Sequence, residues 1–328
     1  MIDNILIDML VTGLPLIPVF LGVYLVLRIR EDFDMTVEGS FALGGATVAI
    51  IEVAGGNPVV AMIAGVIAGS LAGLMTSALA LLLRLPVIMA GLVMNMALFS
   101  ITLRVLGMPS ISLSGHETIF TGIAPAPGRA GDIAMIALLG AIVSLILLAF
   151  ALFLKTEVGL ALRASGQNPR MVRSQGVNER GLLVLSLMTS NGLAAFGGGL
   201  MVQMQGYADV NMGTGIFLAG AGSVLLGVLF LNPSGSSVFR IVLAVLIGGL
   251  VYRLILVAAL RFGLPAGDLK GITALTLVVA VAAQAYLAPA LSRYKVKLPE
   301  RPGRGSTLPP PPAPPVEPAP TILEKTNA

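Results

Sequence analysis

The chain alternates between long apolar runs and short stretches that hold most of its charged residues. A helix that crosses the hydrocarbon core of a bilayer needs about 20 apolar residues. Seven runs reach or approach that length, at residues 5–27, 58–83, 87–106, 133–154, 182–204, 238–260 and 272–290, and two shorter runs lie at 39–53 and 216–231. Because the runs are continuous rather than alternating, they argue against strands. The pattern predicts an all-α integral membrane protein with about nine transmembrane segments, two of them short or discontinuous.

The composition indicates a chain surrounded by lipid rather than water. Hydrophobic residues make up 56% of the 328 residues and charged residues only 11%, whereas a soluble domain usually carries about 25% charged residues. The chain has no cysteine and one histidine, His116, so no metal site is expected. Basic residues stand at the ends of apolar runs rather than beside aromatic residues, so no nucleic-acid partner is expected. The first run is preceded by Asp3 and no Lys or Arg, which indicates a retained helix rather than a signal peptide.

The distribution of Lys and Arg predicts the orientation of the chain. Five of these residues lie in 155–180 and five in 293–304. Placing both stretches in the cytoplasm puts fifteen of the 20 basic residues inside and five outside, in agreement with the positive-inside rule. The sequence therefore predicts a multi-pass protein of the bacterial cytoplasmic (inner) membrane, with its N-terminus outside and its C-terminus in the cytoplasm.

Two parts of the chain share an order of elements. Residues 34–45 and 211–222 each begin with a polar residue and Met before a Gly-rich segment, and Asn-Pro and Leu-Pro pairs follow in both parts. This order predicts inverted repeats at about 33–106 and 210–290, a feature of transporters; chance similarity between Gly-, Ala- and Leu-rich segments is the alternative. Residues 1–292 are predicted to form the membrane domain. Ten prolines in 299–320 predict a disordered cytoplasmic tail over 293–328.

The polar stretch 155–181 carries the most specific motif. Residues 159–178 read GLALRASGQNPRMVRSQGVN. This segment resembles the cytoplasmic loop of ATP-binding cassette (ABC) permeases of the branched-chain amino acid and ribose class. The matching positions are Gly159, Arg163, Ala164, Gly166, Asn168, Gly176, Val177 and Asn178. The family commonly has Ala at the position of Val172 or Arg173. A second element, DMTVEGS at 34–40, resembles segments of the sugar-type and amino-acid-type members, although Glu38 fits neither type fully.

The resemblance implies an importer permease that works with other chains. It implies a second permease subunit, with a homodimer expected, two ATP-binding subunits and an extracytoplasmic solute-binding protein. The chain lacks the phosphate-binding loop G-x-x-x-x-G-K-[ST]. ATP and Mg²⁺ are therefore expected on the partner ATPase, with no cofactor on this chain and no enzymatic activity of its own. The solute implied is small and polar: an amino acid or related compound first, a sugar or nucleoside as the alternative.

The resemblance also implies that the polar stretch couples the permease to the ATPase. Asn168 and Pro169 are a favourable N-cap and first-turn pair for a short helix, and Gly176 would end it. The helix would present Arg170 and Arg173 outward. The predicted coupling residues are Arg163, Gly166, Asn168, Pro169, Arg170, Arg173 and Gly176. An ordinary basic loop that only sets the topology is the alternative.

Uncharged polar residues inside the apolar runs, or just beyond the outer end of one, are the candidates for the solute pathway. Polar groups in hydrocarbon are costly and usually face a cavity or a partner helix. The candidates are Asn95, Asn191, Ser190, Thr189, Gln203 and Asn211. Hydrogen bonding between helices is the alternative for Asn95 and Asn191, and a solvated loop for Gln203 and Asn211. An ion-coupled secondary transporter is a less favoured function, because no charged residue is evident in the middle of an apolar run.

Overall fold

The helices predicted from the apolar runs are found throughout the part of the chain that the computed structural model describes, residues 2–121, 129–231 and 238–294. The α-helices in those residues are α1 (Ile2–Gly13), α2 (Ile17–Tyr24), α3 (Thr36–Val53), α4 (Pro58–Leu82), α5 (Val87–Leu106), α6 (Arg129–Lys155), α7 (Glu157–Gln167), α8 (Pro169–Ser174), α9 (Glu179–Gln205), α10 (Ile216–Leu231), α11 (Val238–Arg261) and α12 (Leu269–Tyr294). Residues Met1–Ala288 contact one another as one unit. The Pro-rich stretch 299–320 and the Asn232-Pro233 pair lie outside the described residues, and the inverted repeat stays a prediction.

The first apolar run is one span, Ile5–Arg30, with two irregular stretches. A 3₁₀ turn over Leu14–Leu16 separates α1 from α2, and a π-helical stretch, Leu25–Arg30, follows α2. Proline has no amide hydrogen to donate, so Pro15 and Pro18 interrupt the regular ladder at the 3₁₀ turn. The span ends at Glu31 in the left-handed conformation, with φ of 62°. Residues 31–34 then continue without helix toward α3.

Seven spans in the described residues are long and apolar enough to cross a membrane: the first span, α3, α4, α5, α6, α9 and α11. Two shorter apolar helices, Ile216–Leu231 and Leu269–Ala283, occupy the remaining predicted positions. The segment predicted as short at 39–53 is wrong in length, because α3 begins at Thr36 and has 18 residues. The total of nine crossings stays a prediction.

The centre of the bundle is built from α9, α3, α4 and the first span. Leu187, Ala195 and Leu200 on α9 are fully buried. By contrast, α4 turns an apolar stripe outward: Val60, Ile63, Ile67 and Leu71, each 49–58% exposed. Their spacing of three to four residues places them on one face of the helix. Such a face suits lipid or another membrane chain rather than water.

Two features of the fold were not predicted. The segments after α5 and after α9 form a two-stranded antiparallel ribbon, β1 (Ser110–Ser112) and β2 (Tyr207–Asp209), with Ile111 opposite Ala208. The ribbon lies between apolar runs, where the argument against strands does not apply, and its three-residue strands are too short to give a periodic signal. The polar stretch 155–181 contains two helices, α7 and α8, where the sequence predicts one.

Candidate functional site

The short helix predicted in the polar stretch is present as α8. The Asn168 Oδ1 atom accepts the Met171 amide hydrogen at 3.1 Å, and Pro169 occupies the first helical position. Gly176 ends the turn with φ of 79°, a left-handed conformation that a side chain disfavours. The local sequence thus determines this helix at both ends.

The side chains of α8 divide into an exposed face and a buried anchor. Arg170 and Met171 are exposed, whereas Val172 is 3% exposed and packs into the core. Arg173 is exposed but forms an ion pair with Glu179 at the start of α9. Arg163, one of the motif residues, is half-buried, and its Nε atom has no hydrogen-bond partner among the described residues. The surface available to a partner therefore centres on Arg170 and Met171.

The helix α7 fastens this surface to the end of the first span. A Cβ atom on Gly166 would lie 1.8 Å from the Ile29 carbonyl oxygen, so only glycine allows this approach. The Arg30 Nη1 atom donates to Ser165 Oγ at 3.1 Å, and Arg30 also pairs with Asp32 at 3.4 Å. Burial raises the pKa of the Asp32 carboxyl, and the nearby Arg30 guanidinium partly offsets this rise. A displacement of α7 would consequently also move residues 31–34, the link that precedes α3.

That link ends in a buried hydrogen-bond network between four elements. The Asp34 carboxylate accepts the Thr36 amide hydrogen at 2.9 Å through Oδ1 and the Asn191 side chain at 2.7 Å through Oδ2. Asn191 Oδ1 in turn accepts the Ser40 hydroxyl at 2.7 Å, and the Thr36 and Thr76 hydroxyls lie 2.8 Å apart. All five residues have 0% exposure. The network joins the link, α3, α4 and α9.

The position of Asp34 adds a charged residue that the sequence argument about apolar runs did not cover. Asn191, its partner, is the thirteenth of the 27 residues of α9, so Asp34 lies at the level of the middle of that span. The sequence prediction considered only charged residues in the middle of apolar runs, and Asp34 reaches this depth from outside any run. Asp34 was missed because it falls in the segment between two predicted helices rather than within one.

A cavity of about 220 Å³ lies next to the first turn of α3. Its walls come from α3, α5 and the segment before α10, and include Glu38, Asn95, Met96, Phe99 and Thr214. Glu38 is half-buried, and its Oε1 atom accepts the Gly215 amide hydrogen at 3.0 Å. The cavity therefore combines one carboxyl group, one carboxamide and one hydroxyl with apolar side chains.

The structure does not bring the six predicted pathway residues together. Asn95 lines the cavity. Asn211 is exposed in the neighbouring turn, where its backbone amide donates to the Asp209 carboxylate at 2.7 Å. Asn191 and Ser190 are buried in helix packing. For Asn191, the alternative interpretation as a bond between helices therefore fits its surroundings.

The remaining two candidates lie elsewhere. Thr189 lines a separate, mostly apolar cavity of about 250 Å³. Gln203 accepts the Ile119 amide hydrogen at 3.1 Å and lies 3.4 Å from the Pro58 carbonyl, so it ties a loop to the start of α4. Two cavity residues, Glu38 and Thr214, were not among the candidates. The misfit of Glu38 to both family elements was the one signal in the sequence that pointed to it.

Comparison with known proteins gives the family. Residues 5–283 of the chain match the family described as "Branched-chain amino acid transport system / permease component". A tyrosine transport system permease protein of Clostridioides difficile (strain R20291) is 33% identical over 262 residues, which cover 80% of this chain and 85% of the relative. An uncharacterized protein of Rickettsia prowazekii (strain Madrid E) is 33% identical over 280 residues, covering 85% of this chain and 97% of the relative.

A third relative belongs to a sugar system. The galactofuranose transporter permease protein of Escherichia coli (strain K12) is 25% identical over 243 residues, 68% of each chain. No solved structure gives a significant match. The match over 5–283, together with the apolar spans, identifies a multi-pass membrane protein. The chain belongs to the branched-chain amino acid and ribose class of ABC transporter permeases.

Proposed function

We propose that the chain is the permease subunit of an ABC importer that moves an amino acid or a related amino compound across the bacterial inner membrane. It works as one of two permease subunits, with two ATP-binding subunits on the cytoplasmic side and a solute-binding protein outside. The capped helix α8 and its support α7 carry this proposal. An ATP-driven motion has to enter through a surface outside the membrane, and α8 is such a surface.

The contacts of α7 supply a route from this surface to the spans. A partner that moves α8 also moves α7, and Gly166 and Ser165 of α7 touch Ile29 and Arg30 at the end of the first span. The link that follows Arg30 leads to Asp34 and the first turn of α3. Glu38 on that turn lines the cavity. A movement of the ATPase can therefore change the shape of the cavity through the contacts of α7 with the first span and through the link that joins this span to α3.

The relatives favour an amino acid over a sugar as the solute. The relative named for tyrosine transport is 33% identical over 85% of its length, compared with 25% over 68% for the relative named for galactofuranose. A sugar is the second candidate, because the chain is also similar to the relative that is named for galactofuranose. Uptake of labelled tyrosine and galactose into vesicles that contain the complete transporter distinguishes the two solutes.

The coupling role is tested by reversing the charge of Arg170. This residue is exposed and, among the described residues, has no ion-pair partner within 4 Å. Docking contacts depend on charge, so Arg170→Glu is expected to reduce co-purification of the ATPase by on the order of tenfold. Arg173 is unsuitable for this test because its reversal would also break the pair with Glu179.

Arg104→Glu is the matched control. Arg104 is an exposed arginine in the last turn of α5, and the sequence places it on the opposite side of the membrane from α8. This variant should retain the ATPase at the wild-type level. Equal ATPase recovery with Arg170→Glu and with the wild type would show that α8 only sets the topology.

A further inference from the structure

Glu38 is the one charged residue in the wall of the 220 Å³ cavity. One of its oxygens accepts the Gly215 amide hydrogen at 3.0 Å, immediately before α10 begins. Among the described residues, no Lys or Arg nitrogen lies within 4 Å of its carboxyl group. The carboxyl group thus has a structural hydrogen bond but no direct ion pair among the described residues, and the charge of Lys270 acts on it only from a greater distance.

Capping α10 does not by itself require a charge. Neutral acceptors such as Ser and Asn are as effective as Asp at the start of a helix. A carboxyl group within a membrane span is costly and is a functional feature by default. Asp34 differs, because it accepts two hydrogen bonds, from Thr36 and Asn191, in a fully buried site. Glu38 instead faces a cavity, where an external cation can neutralise it.

The other walls complete a site for a small amphiphilic amine. The Asn95 carboxamide and the Thr214 hydroxyl can donate and accept hydrogen bonds, and Thr214 is exposed. Met96 and Phe99 supply apolar surface, and methionine adapts to different shapes. Drug-sized ligands occupy about 300–1,000 Å³, so a cavity of about 220 Å³ suits a smaller solute.

We propose that Glu38 selects the transported solute by binding its protonated amino group, with Asn95 and Thr214 holding the remaining polar atoms. This inference rests on the proposed permease function and adds the chemical feature that the cavity recognises. The short α3 turn that carries Glu38 also follows the link connected to α7. Movement of that link would therefore change how tightly Glu38 binds the amino group.

The absence of cysteine from the sequence allows a direct test of the cavity charge. Thr214→Cys is introduced into the complete transporter and treated with a cationic (trimethylammonium-ethyl) or an anionic (sulfonatoethyl) methanethiosulfonate. A carboxylate in a cleft concentrates cations by roughly tenfold or more. The cationic reagent should therefore react at least about tenfold faster, relative to its rate with a free thiol, than the anionic reagent.

Adding Glu38→Gln should abolish this preference while keeping the oxygen that accepts the Gly215 hydrogen. The matched control is Glu52→Gln, a neutralised acid on the same helix. Glu52 lies fourteen residues further along, or about 21 Å at 1.5 Å per residue. The control should keep the preference. Equal rates for the two reagents in the Thr214→Cys protein would overturn the inference, and so would a preference that survives Glu38→Gln.

Uptake separates this inference from the proposed function. With labelled tyrosine as the probe, Glu38→Gln should lower uptake at least about tenfold, as expected for the loss of a charge-assisted contact, and Glu52→Gln should not. Normal uptake by Glu38→Gln overturns the selection role while leaving the importer intact. Wild-type uptake of galactose instead of tyrosine overturns the proposed solute class, and with it the role of Glu38 in binding an amino group.

Discussion

Replacing Asn191 with leucine tests whether this residue stabilises the bundle or lines the solute pathway. Its side chain donates to the Asp34 carboxylate at 2.7 Å and to the Leu187 carbonyl at 2.9 Å, and it accepts from Ser40 at 2.7 Å. Leucine has a similar size but makes none of these bonds. The change leaves the fully buried Asp34 carboxylate without one of its partners.

The magnitude follows from these bonds. A hydrogen bond to a charged group contributes about 1.5–3 kcal/mol and a neutral one about 1 kcal/mol. Bonds inside membrane proteins are weaker, about 0.6 kcal/mol on average. Asn191→Leu should therefore lower the free energy of unfolding by about 2–4 kcal/mol. At about 2–4 °C per kcal/mol, the apparent melting temperature should fall by about 4–16 °C.

The assay is the loss of the monodisperse protein peak in detergent after heating, measured by size-exclusion chromatography. Asn95→Leu is the matched control, because Asn95 is half-buried on the cavity wall and its replacement should cost no more than about 1 kcal/mol. Asn95→Leu is expected to reduce uptake at nearly unchanged stability. If the Asn191→Leu protein melts with the wild type, the buried network does not stabilise the bundle and the reasoning fails.

Three further predictions concern topology, coupling and the ribbon. Reporters inserted after Asn178 and after Gly115 should lie on opposite sides of the membrane, as the charge distribution predicts; a common side would refute the predicted topology. Gly166→Ala should lower uptake several-fold while the ATPase still co-purifies, because the new methyl group separates α7 from the first span; unchanged uptake would contradict this coupling route. Cysteines at positions 111 and 208 should form a disulfide on oxidation, since Ile111 and Ala208 are directly opposite in the ribbon; a persistently reduced pair would contradict this register.

Local signals in the sequence were sufficient for the spans and for α8. An apolar run of about 20 residues has one favourable structure in lipid, because a helix satisfies its own backbone groups. The ends of α8 were predictable for the same local reason: Asn168 caps the helix and Gly176 adopts the conformation that ends it. The existence of α7 and of the ribbon was not predictable, because their stability depends on contacts with distant segments.

The sequence by itself therefore determined that this chain is a helical membrane protein with a capped, basic surface helix, since each of those features depends on neighbouring residues. Only the tertiary structure decided which polar groups share a site. Asp34 and Asn191 are 157 positions apart, a separation that no periodic pattern in the sequence connects. In the folded chain, the Asn191 Nδ2 atom nevertheless lies 2.7 Å from the Asp34 Oδ2 atom. Glu38 and Gly215 are separated by 177 positions and meet at the cavity. Hydrophobicity places a residue in the membrane, but helix packing decides whether its polar atoms face a partner helix or a cavity.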